Sequence, residues 1–108
     1  MSFKVEYTDA AKVDLKGLDG SQVKQIRKMI DKVSENPLSK SEGGYGSPLG
    51  NKHGNNLTGF YKIKLLKLGI RVVYQLIHVG GVMKIVVIAA RADDEVYKTA
   101  VRRIEENK

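Results

Sequence analysis

The chain has 108 residues, with 19 Lys and Arg against 12 Asp and Glu, two Pro, and neither Cys nor Trp, for a net charge of +7. That length fits one domain over residues 1–108 with a modest core; disulfides are excluded, and the longest apolar run, Val82 to Ala90 with Lys84 inside it, falls far short of the ~20 residues that span a bilayer. The start, MSFKVEYTDA, has no apolar stretch of the secretory kind, so a cytoplasmic protein with no membrane partner is expected.

Phe3, Val5 and Tyr7 alternate with Lys4 and Glu6, the period of a half-buried strand. Thr8 or Asp9 can cap a short helix with Ala11, Leu15 and Leu18 on one face, ending near Gly17 to Gly20. Asp19 or Ser21 can cap a second helix, where Val23, Ile26, Ile30 and Val33 recur at offsets of three and four until Asn36 and Pro37 stop it. The short connection predicts an antiparallel helical hairpin. From Ser39 to Thr58 the chain reads SKSEGGYGSPLGNKHGNNLT, without apolar periodicity, and a long mobile loop is expected there.

Three strands follow, Phe60 to Leu65, Gly69 to Ile77 and Val82 to Ala89, with Gly80 and Gly81 marking the second turn. The last segment opens with Asp93, Asp94 and Glu95 and closes with Arg102, Arg103 and Lys108, a charge order that suits a helix dipole, with Val96, Ala100 and Ile104 as its apolar stripe. The predicted order is β-α-α-β-β-β-α. It describes an α+β fold: an antiparallel sheet, a helical hairpin on one face and a C-terminal helix, without internal repeats.

The charge is unevenly placed. From Gly43 to Ala92 there is no Asp or Glu, while Lys52, Lys62, Lys64, Lys67, Arg71, Lys84 and Arg91 fall inside that stretch. The other basic and acidic residues balance at 12 each, so the central segment carries the whole excess. A solvated face is one reading; a polyanionic partner is the one that explains the missing carboxylates.

The first β-hairpin can be registered from its apolar pattern, because a slip of one residue turns every side chain over. Leu65 opposite Ile70 puts Ile63 opposite Val72 and Tyr61 opposite Tyr74, an apolar face throughout. The same register sets Lys64 opposite Arg71 and Lys62 opposite Val73 on the other face, with Phe60 and Gln75 beyond. Like charges placed directly opposite cost stability, and a bound anion would relieve that repulsion. If Ile77 pairs with Val82, strict alternation gives Arg91 the parity of the core face, although the chain is already turning toward Asp93.

Metal chemistry has little to stand on: His53 and His78 are lone imidazoles far apart in sequence, and no metal site or other cofactor is expected. Asp93 and Asp94 read as a helix cap, Glu105 and Glu106 as solvated. The Gly-rich stretch lacks the Gly-Lys-Ser/Thr ending of a phosphate loop and precedes no helix. What the composition does offer is Lys, Arg and Tyr, which suits a phosphodiester. Cleaving RNA through its 2′-hydroxyl needs a proton acceptor, cations on the crowded phosphate and help for the departing 5′-oxygen. Crowded cations favour the neutral amine, so a lysine can accept a proton, and arginine grips phosphate with two parallel hydrogen bonds.

The stretches GFYKIKLLKLGIRVVYQLI and RADDEVYKTAVRRIEE resemble the RelE family of bacterial toxin ribonucleases, across the whole chain in element order and most strongly from Gly59 onward. The resemblance implies a toxin of a type II toxin–antitoxin system that cuts messenger RNA in the ribosomal A site, is neutralised by an antitoxin, and meets operator DNA only through the antitoxin complex. By that resemblance Lys62 and Lys64 would contact the RNA and assist proton transfer, Arg71 would stabilise the phosphate, Arg91 would serve the leaving group, and Tyr97 would stack on or orient the substrate. Tyr97 has a second reading as a core-edge aromatic. Lys52, Lys67 and Lys84 are further expected contacts to RNA or the ribosome. The segment from Ser41 to Thr58 is longer than in the shorter family members, and Ala90 and Asp93 stand where some members carry basic residues. Two other functions compete: a ParE-like toxin acting on DNA gyrase, and a non-enzymatic RNA- or ribosome-binding module, for which only Phe60 and Tyr45 offer stacking rings.

Overall fold

Two side-chain caps open the helical hairpin. The computed structural model describes residues 3–52, 55–90 and 93–106, with the backbone path alone at 51, 52, 55, 56, 93 and 94. After strand β1 (Lys4–Tyr7), Thr8 Oγ1 accepts the Ala11 N–H at 3.1 Å and starts α1 (Asp9–Lys16). Asp19 then starts α2 (Gly20–Ser34) with a reciprocal cap, accepting from the Gln22 N–H at 2.9 Å while the Gln22 amide oxygen takes the Asp19 N–H at 3.3 Å. The Gln22 N–H, and after it the Ser21 hydroxyl, hold the Asp19 carboxyl below its usual range. Both caps are among those expected from the sequence, and α2 ends before Asn36 and Pro37 as predicted.

A 3-10 turn at Lys40–Glu42 leads into β2 (Ser47–Lys52), β3 (Asn55–Leu65), β4 (Ile70–Ile77), β5 (Val82–Ala89) and α3 (Asp93–Glu106). The α+β class, the helical hairpin and the C-terminal helix stand as expected. The stretch read as a mobile loop, however, holds β2 and the first four residues of β3, so the structure adds a strand to the predicted order. Its composition hid it: Ser, Pro, Gly and Asn have low strand preference, Pro48 is tolerated on an edge strand, and Gly50 takes φ +58° where the β2–β3 register shifts. The signal was the pair Leu49 and Leu57, both buried under α3.

The sheet runs β1-β5-β4-β3-β2. Strands β2 to β5 form an antiparallel meander, but β1 lies parallel to β5, with Lys4 opposite Val82 and Tyr7 opposite Ile85. That departs from an all-antiparallel sheet, and the reason is connectivity: only strands joined by tight turns announce their direction in sequence, whereas β1 meets β5 across most of the chain. One face packs Ile63, Leu65, Ile70, Val72, Tyr74, Met83 and Ile85 against Ala11, Leu15, Ile26, Ile30 and Val33 of the helical hairpin. The other packs Phe60, Val73, Val86 and Val87 against Val96, Tyr97 and Ala100 of α3.

One ion pair ties the layers together. Arg103 on α3 donates to both Asp14 carboxylate oxygens, at 2.8 and 3.1 Å, and to the Val86 carbonyl at 2.9 Å, while Asp14 on α1 also accepts the Ile88 N–H at 3.0 Å. No helix among the described residues is long and apolar enough to cross a membrane.

Candidate functional site

The predicted β3–β4 register is the one observed: Leu65 pairs with Ile70, Lys64 with Arg71, Ile63 with Val72, Lys62 with Val73, and Phe60 with Gln75. Lys62, Lys64 and Arg71 therefore lie on a single face, and directly paired side chains start from β-carbons about 5 Å apart. Lys64 is exposed, and Lys62 and Arg71 are half-buried. The three cations share their face with α3, which covers the neighbouring apolar rows and leaves the Lys64–Arg71 row beside its edge.

A bulge in β5 decides what stands next to Arg71. Between Val73 and Tyr74 the β4–β5 register shifts, so Val87 pairs with Val73 while Ile85 pairs with Tyr74, and Val86 is the extra residue. Strict alternation fails at that point. Ile88 turns to the helical hairpin, and Ala89 pairs with Arg71 on the basic face. The parity argument applied to Arg91 therefore does not carry past Val86; Arg91 itself lies outside the described residues, as does His53.

The other sequence-derived candidates scatter. Lys67 lies exposed in the β3–β4 turn, at the same end of the hairpin as Lys64 and Arg71. Lys84 pairs with Gln75, so it sits about 13 Å along the sheet from Arg71, at 3.3 Å per residue, beyond the Val73 row that α3 covers. Lys52 pairs with Asn55, about 23 Å along β3 from Lys62 on the same rise. Tyr97 is 2 % exposed and packs in the α3 cluster, which is the core reading of that residue; in this arrangement its ring offers no open face to a base. Phe60 is likewise buried under α3, which removes the sheet ring that a plain RNA-binding module would use.

The aromatic pair behind the site is structural. Tyr61 and Tyr74 stack with ring centroids 5.3 Å apart, and the buried Tyr74 hydroxyl donates to the Pro37 carbonyl at 2.9 Å. Burial pushes both phenols above their usual range, Tyr74 well above it; a smaller contribution comes from Glu42 at Tyr61 and from Tyr61 at Tyr74. Among the described residues no group of three His, Cys, Asp or Glu could hold a metal ion. The chemistry on offer is that of fixed and mobile cations on an open sheet face.

No family model matches the chain. It is 29 % identical over 104 residues to the mRNA interferase toxin RelE of Escherichia coli strain K12, covering 96 % of this chain and 99 % of that one. Among solved structures, a double arginine-to-alanine variant of E. coli RelE in the free state superposes with a TM-score of 0.76 at 28 % identity, over 96 % of this chain and 99 % of that chain. Along nearly its whole length the chain is similar to RelE toxins in both sequence and fold. The mRNA interferase RelE of Shigella flexneri matches over the same extent at 29 % identity. The E. coli RelE variant bound to a peptide of its antitoxin RelB gives a TM-score of 0.69 at 26 % identity, covering 94 % and 96 % of the two chains.

Proposed function

We propose that this chain is the toxin of a type II toxin–antitoxin pair and acts as an mRNA interferase, an endoribonuclease that cuts messenger RNA in the ribosomal A site without a metal or other cofactor. One observation carries the reading: Lys62, Lys64 and Arg71 stand together on an open sheet face of a chain that aligns with RelE along nearly its whole length.

The step is attack of a ribose 2′-hydroxyl oxygen on the adjacent phosphorus. A P–O bond forms to that oxygen, the P–O bond to the 5′-oxygen of the next nucleotide breaks, and a 2′,3′-cyclic phosphate and a 5′-hydroxyl result. Arg71 supplies positive charge and a fork of donors for the two non-bridging oxygens, where negative charge grows. A lysine amine of the Lys62–Lys64 pair takes the 2′-hydroxyl proton. Arg91, two residues beyond the Ala89 partner of Arg71, offsets charge on the departing oxygen before solvent protonates it. Tyr97 takes no part in the chemical step here; its buried ring seats α3 beside the basic face. Without an imidazole of matched acidity, much of the rate falls to how the ribosome and the toxin hold the strand.

The antitoxin is proposed to carry an acidic amphipathic helix that covers this face or displaces α3. The test is primer extension on a messenger in a purified translation system, with and without ribosomes, for this protein and its Arg71→Ala variant. Ribosome-dependent cuts in codon phase that disappear in the variant are expected. Intact messenger at toxic protein levels would overturn the reading and turn attention to gyrase.

A further inference from the structure

Strand β2 leaves β3 at the Ser47–Lys62 pair, and from Ile63 to Leu65 that side of β3 has no strand beside it. The space is a groove of about 370 Å³ between β3 and α2. Met29 and Val33 line it from α2, and Lys32, Lys40, Lys62 and Tyr45 stand around it. Lys64 lines it too, so the groove continues the basic face around the edge of the sheet. Among the described residues no carboxylate lines it; Glu42, the acidic residue of the adjoining 3-10 turn, is turned to the Ser39 hydroxyl at 3.1 Å.

Tyr45 is the unusual member. Tyr61, Tyr74 and Tyr97 are buried or half-buried, whereas Tyr45 is 48 % exposed, and its ring carries the Lys32 ammonium 5.7 Å from its centroid. The ring is not on a loose loop. The Tyr45 N–H donates to the Asn36 carbonyl at 2.9 Å, the Gly44 N–H to Ser39 at 3.0 Å and the Gly46 N–H to Leu38 at 2.9 Å. A Cβ at Gly44 would strike the Leu38 carbonyl, and one at Gly46 would strike the Tyr74 hydroxyl and the Pro37 carbonyl. The two glycines press the loop onto the α2 exit and leave Tyr45 standing between them, a ring held in place before anything binds.

We propose that this groove is a subsite for single-stranded RNA, in which Tyr45 stacks a base and Lys32, Lys40 and Lys62 hold the flanking phosphates, one or two nucleotides along the strand from the phosphate on Arg71. The proposal deepens the ribonuclease reading and rests on it for the course of the strand. Basic side chains around a stacking ring over an apolar floor match single-stranded nucleic acid, since every base has a face to stack and every linkage a charge. The Lys62 amine, common to the groove and the basic face, sets the direction in which the strand crosses the edge of β3.

The test uses the full chain and a fluorescein-labelled 2′-O-methyl oligonucleotide of about eight residues, long enough for one such site and resistant to cleavage because its 2′-oxygen is blocked. Anisotropy titrations would compare Tyr45→Ala, Tyr45→Phe and the double variant Lys32→Ala with Lys40→Ala, each checked by thermal unfolding. Tyr45→Ala is expected to weaken binding about tenfold, the loss of one stacked base, with Tyr45→Phe close to wild type. The double variant should lower the slope of log affinity against log salt by about 1.4, two released counterions on a single strand. Wild-type affinity in Tyr45→Ala and in the double variant would overturn the subsite. So would an acidic peptide that binds through Tyr45 while the oligonucleotide does not. A protein that binds the oligonucleotide through Tyr45 yet leaves ribosome-bound messenger whole would keep the subsite and overturn the ribonuclease reading instead.

Discussion

The two faces of the sheet are built to different ends from the same strands. On the face under the helical hairpin every cross-strand pair of β3 and β4 is apolar or aromatic, and α1 and α2 close over it. On the other face apolar rows stop where α3 stops, and the next positions are Lys62, Lys64 and Arg71. Burial dictates the first face, and like charges set opposite each other mark the second. The comparison separates residues that hold the molecule up from residues available to act, and substitutions on each face should affect one property and spare the other.

The largest effect is expected at the closed face. Ile30→Ala, emptying a fully buried site, should cost about 3 to 4 kcal/mol of stability by chemical denaturation while each folded molecule still cuts at the wild-type rate. Loss of cutting per folded molecule would mean that the faces are not independent. Next comes the open face: Arg71→Ala should slow messenger cleavage at least about 100-fold, near 2.7 kcal/mol at the barrier, with little change in the thermal midpoint. A variant that instead unfolds would make Arg71 a structural residue.

Arg103→Ala sharpens the comparison from between the faces. It leaves Asp14 with the Ile88 N–H alone and strips Arg103 from the Val86 carbonyl, and should cost about 2 kcal/mol, with faster amide exchange in α3 than in α1 or α2. Uniform loss of protection across all three helices would show that α3 has no separate stability. The smallest effect is expected at Tyr74→Phe, about 1 kcal/mol for the bond to Pro37. Because the folded Tyr74 phenol is raised above the usual 10.0, the unfolded chain loses its proton first. The stabilisation is whole below that value and falls as the pH climbs above it toward the folded one. An alkaline unfolding series in which Tyr74→Phe declines as steeply as wild type would remove Tyr74 from that account.

Much of the basic face was legible in the sequence because its partner face is strictly apolar: a register that buries Ile63, Leu65, Ile70, Val72 and Tyr74 leaves Lys62, Lys64 and Arg71 no alternative side. Strand β2 was not legible, since SPLGNK reads as a turn until Leu49 and Leu57 are seen to share a core. The Asp14–Arg103 pair spans 89 positions, and no local pattern marks either partner. Tyr45 and Tyr97 looked alike as aromatics of uncertain duty; only tertiary packing exposes the first and buries the second.

The extra residue in β5 carries one more consequence. Were β5 to keep all its residues but lose the bulge, strict alternation from Ile85 would carry Ala89 to the hairpin side. The bulge thus sets the phase on which Arg71 keeps a small neighbour. Deleting Val86 would leave Val87, Ile88 and Ala89 on the faces they now hold, whereas one residue more, taken up in the strand, would exchange the molecule's inside for its outside along the end of β5.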